Sequence, residues 1–457
     1  MEYIQFINRK NEISFLKNLQ NDYFIVIMGR RRIGKTRLLK EVFPEDLFLF
    51  VWPDRSLEWI MENWSLENGL PQFRRIDDFL TYILDKGLVI FDEFQNFNKI
   101  DKSIFGSLQK LIDERKYSGK KTQLIVAGSS YSVLNQIFQN SKSALFNRKT
   151  HVIQLEHLPF IDLKKSLSIP LENLIQYWAV FEGVPYYYEI IDTNEAPVEE
   201  IKKHFFGQTS IFDREGDFIL AMEFGTDSKV YKTILSVIAN GKTNQNEIAS
   251  YFEGKKTTVT KYLDILRKEF NIVKRLTPAL SNPAKSRAGH YEIRDNFLSF
   301  WFKFIDSKKS LLEQNRYNEM QSYFEEHFNQ YVGKKFEQLT LELTRNGLFG
   351  HFDIVNSQWG KIPGKKSSEN QYEIDVLAWN KKEQKILLIE CKWSDLNQKD
   401  CQRIFKKLES LSPIITDKIS VKSTDIKILA KSFSFKISDE NKEKLIDIKA
   451  LEKLLLT

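Results

Sequence analysis

The run YFIVIM (Tyr23–Met28) passes directly into GRRRIGKT (Gly29–Thr36) and then into RLLKEVF. Strand, glycine-framed loop and helix in that order place G-x-x-x-x-G-K-[ST] in its working context. The loop Gly29, Arg30, Arg31, Arg32, Ile33 and Gly34 is expected to cradle phosphates with its backbone N–H groups, helped by the helix N-terminus. Lys35 is expected to reach the β- and γ-phosphates of ATP, and the Thr36 hydroxyl to bind Mg²⁺. A second apolar run, GLVIFDEF, ends in Asp92 and Glu93. An acidic pair after a buried strand is the other half of such a site: Asp92 holds Mg²⁺ through water, and Glu93 orients and polarises the attacking water. A third strand, QLIVAGSS, ends in Ser129 and Ser130, and Ser129 is placed to sense the γ-phosphate or that water. Small polar residues also end strands for turn reasons, so this last reading is the least specific of the three.

A different puzzle lies in YEIDVLAWNKKEQKILLIECKW (Tyr372–Trp393). Two apolar runs joined by a polar turn read as a β-hairpin. Centring the turn between Lys382 and Glu383 puts Asp375 opposite Glu390, and Glu373 opposite Lys392. Alternation along a strand then brings all four charges to one patch. Facing carboxylates repel unless a cation lies between them, and hard divalent metals with oxygen ligands fill that role. The bland alternative is cross-strand ion pairing on a solvated sheet face. Against it, ILLI is continuously apolar, as a strand buried on both faces would be.

The chain has 457 residues, 42% of them hydrophobic, enough for roughly two to four domains of about 100–200 residues each. Its two cysteines, Cys391 and Cys401, form no metal or disulfide framework, which points to a cytoplasmic setting. No apolar run approaches the roughly 18 residues of a membrane span, so no membrane is expected as a partner. The charged start MEYIQFINRKNE is not read as a signal peptide. A formal charge of +7 permits nucleic-acid binding without demanding it.

From Ser228 the pattern changes to three amphipathic helices, the last in KKTTVTKYLDILRKEF. Two strand-like pieces, IVKRL and HYEIRD, follow around the loop TPALSNPAKSRAG. That order reads as a winged helix-turn-helix with Thr257–Phe270 as its recognition helix. Lys255, Lys256, Thr257, Thr258 and Lys261 would face outward. Lys274, Arg275, Lys285 and Arg287 would lie on the wing and bind phosphates. The same module could instead clamp the nucleotide-binding part.

FINRKNEISFLKNL, GRRRIGKTRLL, VIFDEFQ and LIVAGSS together resemble the archaeal-type P-loop ATPases of the AAA+ and STAND assemblage, across nearly the whole chain. In LFNRKT, Asn147 stands where that family commonly has Gly. The resemblance makes Arg148 a candidate γ-phosphate or inter-subunit arginine, and with it a homo-oligomer a candidate state. YWAVFEGVPYYYEII resembles the family's helical lid, which implies that Gly183 and Pro185 lie near the base. The carboxyl-terminal order, with Asp375 followed after 14 residues by Glu390-Cys391-Lys392, resembles the PD-(D/E)xK nuclease core. The resemblance implies that Asp375, Glu390 and the Cys391 carbonyl bind Mg²⁺, that Lys392 positions the attacking water, and that Glu337 is an accessory ligand. Ile374 stands where the motif's name has Pro.

The expected fold is multi-domain α/β: a P-loop ATPase core with a parallel sheet (1–155), a helical lid (156–226), a winged helix-turn-helix (227–305) and a restriction-endonuclease-like α/β domain (306–457). The expected function is an ATP-binding and hydrolysing, DNA-binding protein that acts as an ATP-regulated, Mg-dependent nuclease or DNA-processing enzyme. The alternative is a nucleotide switch or scaffold that binds DNA or a partner without cutting.

Overall fold

Five short strands form the first sheet: β1 (Tyr23–Gly29), β2 (Leu47–Phe50), β3 (Val89–Asp92), β4 (Gln123–Gly128) and β5 (His151–Leu155). They pair only in parallel, in the order β2-β3-β4-β1-β5. The interior strand β1 is buried along almost its whole length, as a continuously apolar run must be when helices cover both faces. One face packs on Trp64, Phe79, Phe94 and Phe138, and the other on Leu38, Leu39 and the helices that follow β5. The computed structural model describes residues 8–20, 22–224, 228–253, 256–286, 288–364 and 370–456. Among them no helix is long and apolar enough to cross a membrane.

After β5 the chain is helical until β6 (Val273–Leu276) and β7 (His290–Ile293), which form a two-stranded antiparallel ribbon. Three helices precede that ribbon: Ser228–Ala239, Gln245–Ser250 and Lys256–Lys268. The second is fixed by a capping box in which Asn244 and Glu247 satisfy each other's backbone N–H groups. Gly183, between the helices Leu171–Phe181 and Pro185–Ile190, is required for steric rather than conformational reasons. A Cβ there would sit 1.9 Å from the Leu158 carbonyl oxygen.

The carboxyl-terminal sheet runs β12-β11-β10-β9-β8. Its strands are β8 (Ile354–Lys361), β9 (Gln371–Asn380), β10 (Lys385–Leu396), β11 (Ser423–Phe433) and β12 (Leu445–Ile446). β8, β9 and β10 pair antiparallel, and β10, β11 and β12 parallel. The long helix Tyr317–Arg345 lies on one face and the helix Gln398–Thr416 on the other. Leu387 and Ile389 join the core shared with the helical middle, while Ile386 and Leu388 join the core under Gln398–Thr416. ILLI is therefore buried on both faces. One apolar core runs unbroken from β1 through the helices after β5 to β10.

From NFLSFWFKFI onward the sequence reads as helices through Leu348, the hairpin, a helix capped by Ser394, a strand and a last helix, SDENKEKLIDIKALEKLLL, and three of those readings need correcting. Helical structure does not lead straight into the hairpin, because β8 intervenes and makes the edge strand. The helix after ECKW is capped by Asn397, whose side chain accepts from Asp400 N–H, and not by Ser394. Ser394 is still in β10, which stays paired to β11 as far as Leu396↔Phe433. Last, SDENKEKLIDIKALEKLLL is not one helix. Leu445 and Ile446 are buried as β12, and the helix starts only at Ile448 with the Asp447 carboxylate accepting from Ala450 N–H at 2.7 Å.

Candidate functional site

The parallel sheet brings the ends of β1, β3 and β4 to one edge, where ligands of such sheets bind. Gly34 adopts φ 94°, which an L side chain rarely tolerates. The turn it permits starts the helix Lys35–Val42. Lys35 is 5% exposed, and its ammonium donates to the carbonyls of Gly29 (2.9 Å) and Arg30 (3.1 Å). Burial pulls its pKa down, and the charges of Glu93 and Asp92 oppose that pull. The Thr36 hydroxyl donates to Asp92 Oδ2 at 2.5 Å, so the two groups named for Mg²⁺ meet. Burial pushes the Asp92 carboxyl up. Glu93 has left-handed backbone (φ 56°), and its Oε2 accepts from Ser129 Oγ at 2.7 Å and from Gln95 Nε2. Lys35, Thr36, Asp92, Glu93 and Ser129 are thus linked around one loop. Hard oxygen donors and a buried ammonium suit a metal-bound polyphosphate.

A second layer holds this loop, and the sequence reading missed it. Arg30 pairs with Asp295, the N-cap of the helix Asn296–Phe304, and also donates to Tyr187 Oη at 3.2 Å. Arg32 pairs with buried Glu215 at 3.0 Å, and Arg31 approaches Met222 Sδ at 3.7 Å. Glu215 and Met222 lie on the helix Glu215–Phe224, as does Glu223. Glu223 accepts from Ser130 Oγ, Ser132 Oγ and Tyr131 N–H at 3.1–3.3 Å, at the start of the helix after β4. Burial raises its pKa. A cavity of about 480 Å³ opens beside the loop, lined by Arg31, Trp178, Glu223 and Arg345 among others. Val184 lines it, whereas Pro185 instead opens the helix Pro185–Ile190.

Arg148 does not join this site. It lies just before β5, and the adjoining Thr150 N–H donates to Phe24 O near the start of β1. In a parallel sheet that is the edge opposite the phosphate loop. Its guanidinium instead holds both oxygens of Asp113, at 2.9 and 3.3 Å. A γ-phosphate contact within the same chain is therefore corrected.

In the carboxyl-terminal sheet, the pairs Ile386↔Trp379 and Ile389↔Val376 give the register expected for the hairpin. One step on, Asp375 Oδ2 accepts from Cys391 N–H at 2.7 Å. Lys392 Nζ donates to Glu390 Oε1 (2.9 Å) and the Cys391 carbonyl (3.1 Å), and lies 3.8 Å from Asp375 Oδ2. Burial, with Glu390 beside it, pushes the Asp375 carboxyl up to about 6. Glu337, on the long helix, is pushed up to about 7 by burial and then by the Asp375 charge, while its own partner is Lys334 at 3.2 Å. Burial acts to lower Lys392, yet Asp375 and Glu390 outweigh it and the net shift is upward. Among the described residues no three acidic, His or Cys side chains form a metal cage, so Glu337 is near the pair without completing one. Two carboxylates and a carbonyl still suit Mg²⁺, which keeps several waters and needs only one or two carboxylates. The sequence reading also missed Lys407, which reaches both Glu390 oxygens at 2.9 and 3.0 Å.

In the middle unit, Lys256, Thr257, Thr258 and Lys261 are exposed on one helix. Lys255 and Arg287 lie outside the described residues. Lys274 is paired with Glu292 at 3.3 Å, and Arg275 holds the Pro283 and Ser286 carbonyls. The loop between β6 and β7 docks on β8: Ala279 N–H meets Ser357 O at 3.0 Å, and His290 stacks on Trp359.

Comparison with known proteins gives the following. Residues 21–162 match the family described as AAA domain, and residues 301–404 the family described as Archaea bacterial proteins of unknown function. Uncharacterized protein MJECL04 of Methanocaldococcus jannaschii is 30% identical over 424 residues, covering 90% of this chain and 92% of that protein. Uncharacterized ATP-binding protein MJ0423 of the same organism is 44% identical over 41 residues, 8% of this chain and 70% of that protein. Among solved structures, the Walker-type ATPase paby2304 of Pyrococcus abyssi has a TM-score of 0.47 at 16% identity, covering 65% of this chain and 96% of that one. The ORC2 protein of Aeropyrum pernix has a TM-score of 0.39 at 13% identity, covering 68% and 97%.

Proposed function

This chain belongs to the family of MJECL04, an archaeal-type P-loop ATPase family, and we propose that it joins ATP hydrolysis at Gly29–Thr36 to cleavage of DNA at Asp375, Glu390 and Lys392. The second half rests on one observation. Two buried carboxylates and a lysine meet midway along the paired strands β9 and β10, where a binding fold needs none of them.

At the first site Lys35 binds the terminal phosphates, the loop N–H groups orient them, and Glu93, held by Ser129 and Gln95, orients the attacking water. At the second, Asp375 and Glu390 are the groups to hold a cation. Lys392 stands beside them to place a water and to offset charge on the phosphate oxygens. A hard divalent cation bound at Thr36–Asp92 or at Asp375–Glu390 supplies charge neutralisation and a water of lowered pKa. Lys256 and Lys261 are the surface groups placed for DNA phosphates. The docked loop between β6 and β7 favours a second reading, in which the middle unit clamps the two sites together and the chain is a nucleotide switch or scaffold.

The test is cleavage of labelled duplex and single-stranded DNA, and of RNA, by full-length protein and Asp375→Asn. Each is assayed with Mg²⁺, Mn²⁺ or chelator, with and without ATP. Wild type should cleave DNA only with metal, and Asp375→Asn should lose orders of magnitude because the cation loses a charge it needs. Equal cleavage by both assigns the activity elsewhere, and no cleavage by wild type favours the switch reading.

A further inference from the structure

Glu390 is the most heavily bonded carboxylate of the carboxyl-terminal site. Its Oε1 accepts from both Lys392 and Lys407 at 2.9 Å, and its Oε2 accepts from Lys407 at 3.0 Å. A carboxylate offers about four lone-pair positions, so ammonium groups take three of them. A metal bound to the same oxygens competes with those protons for lone pairs and repels both ammonium charges. The two lysines are not equivalent. Lys392 lies in β10 and is also held by the Cys391 carbonyl and by Asp375. Lys407 comes from the helix Gln398–Thr416, contacts only Glu390 in the site, and its side chain is 42% exposed. Its four-carbon stem lets the ammonium leave the carboxylate with no backbone change.

Lys407 also has company. Lys399, Arg403 and Lys407 follow at four-residue spacing, so they share one face of the helix at steps of about 6 Å. All three are exposed, Arg403 partly answered by Asp400 at 3.1 Å. The buried side of the helix is set by Cys401, Ile404, Leu408 and Leu411, with Lys407 at its border beside Glu390. A basic face that ends at the carboxylates matches the charge of a nucleic-acid backbone.

We propose that Lys407 is a phosphate-binding residue of this site that exchanges partners: it holds Glu390 until a divalent cation binds, and then contacts a backbone phosphate of the nucleic-acid strand lying along Lys399 and Arg403. This rests on the cleavage reading of the same site and adds to it a strand path and an exchange between metal and lysine.

The experiment uses the full chain as wild type, Lys407→Met, Lys407→Arg and Glu390→Gln. Mn²⁺ is titrated calorimetrically without nucleic acid. Lys407→Met should bind Mn²⁺ on the order of tenfold more tightly, because one like charge is removed within a few ångströms of the metal. Lys407→Arg should stay near wild type. Binding of a fluorescent DNA duplex with a single-stranded tail is then followed against salt, with Ca²⁺ as the cation. The slope of log affinity against log salt should fall by about one in Lys407→Met, the loss of a single phosphate contact. Equal Mn²⁺ affinity in wild type and Lys407→Met overturns the exchange. A tighter metal with an unchanged salt slope overturns the phosphate contact. Equal Mn²⁺ binding by wild type and Glu390→Gln overturns the metal site itself, and with it the reading on which this inference rests.

Discussion

The phosphate loop and the carboxylate site are built on opposite charges and held in the same way. At the loop, cations meet carboxylates from far along the chain: Arg30 meets Asp295, Arg32 meets Glu215, and buried Lys35 lies in the field of Asp92, Glu93 and Glu223. At the hairpin, buried Asp375 and Glu390 meet Lys392 and Lys407. A charge taken out of water needs an opposite charge or a full set of hydrogen bonds. A site made for a charged ligand therefore carries that ligand's sign on neighbouring side chains. The sites differ in where the answering groups come from. The loop's arginines are answered from the helices Glu215–Phe224 and Asn296–Phe304, so engaging a nucleotide is tied to the position of those helices. The hairpin's partners sit in the same sheet-and-helix unit, so its exchange is local.

Substitutions at the loop site itself should cost most. Lys35→Ala removes the charge on the terminal phosphates and should abolish ATP hydrolysis while weakening nucleotide binding. Glu93→Gln should keep binding and slow hydrolysis by about 10²-fold or more, the range for a lost water-orienting base. Phosphate release and fluorescent-nucleotide titration separate the two. Wild-type hydrolysis by Glu93→Gln would remove Glu93 from its role.

A smaller effect tests the loop's answering charges. Glu223→Gln keeps the hydrogen-bond acceptor at Ser130 and Ser132 but removes a carboxylate from the neighbourhood of Lys35. Nucleotide should then bind about threefold to tenfold more tightly, the effect of one like charge removed nearby. Unchanged or weaker binding would mean that Glu223 orders the loop without opposing phosphate.

The smallest effect concerns a buried charge that lacks an answer. Lys335 is 4% exposed, and its ammonium donates only to Gln338 Oε1 at 3.3 Å, with no carboxylate at ion-pair distance among the described residues. Burial, with Glu292 opposing it, lowers its pKa from 10.5 to about 8. The unfolded chain therefore holds a proton that the folded chain releases between those values. The group's contribution to stability is fully present above 10.5 and is lost as pH falls through about 8. Lys335→Met should raise the melting temperature at neutral pH by a few degrees, and the advantage should shrink as pH rises through that window. A less stable variant at neutral pH would show that the ammonium is satisfied where it lies.

Legibility in the sequence followed the range of the contacts. The loop is eight consecutive residues, and β1, β3 and β4 end side by side in a parallel sheet, so strand pattern alone put Lys35, Asp92, Glu93 and Ser129 at one edge. The hairpin register was readable for the same reason, since a turn fixes which residues face each other. Lys407, Glu223 and Asp295 were not readable. Each meets its partner across a packing contact between separate elements, and nothing in the local pattern marks it. Lys407 borders a buried face, a weak signal that a helix wheel drawn after ECKW would have given. Asn397 was missed because the length of β10 is decided by its pairing with β11, not by where the first serine falls. The middle unit's strand order was legible, but the docking of its β6–β7 loop on β8 was not.

That one chain holds two separate phosphate-handling sites can be checked in a single paired assay on Asp375→Asn. ATP hydrolysis and cleavage of labelled DNA are measured on the same preparation, beside wild type, with Mg²⁺. Asp375→Asn should hydrolyse ATP as wild type does while its DNA cleavage falls by orders of magnitude. Loss of both activities, or DNA cleavage at the wild-type rate, would contradict it.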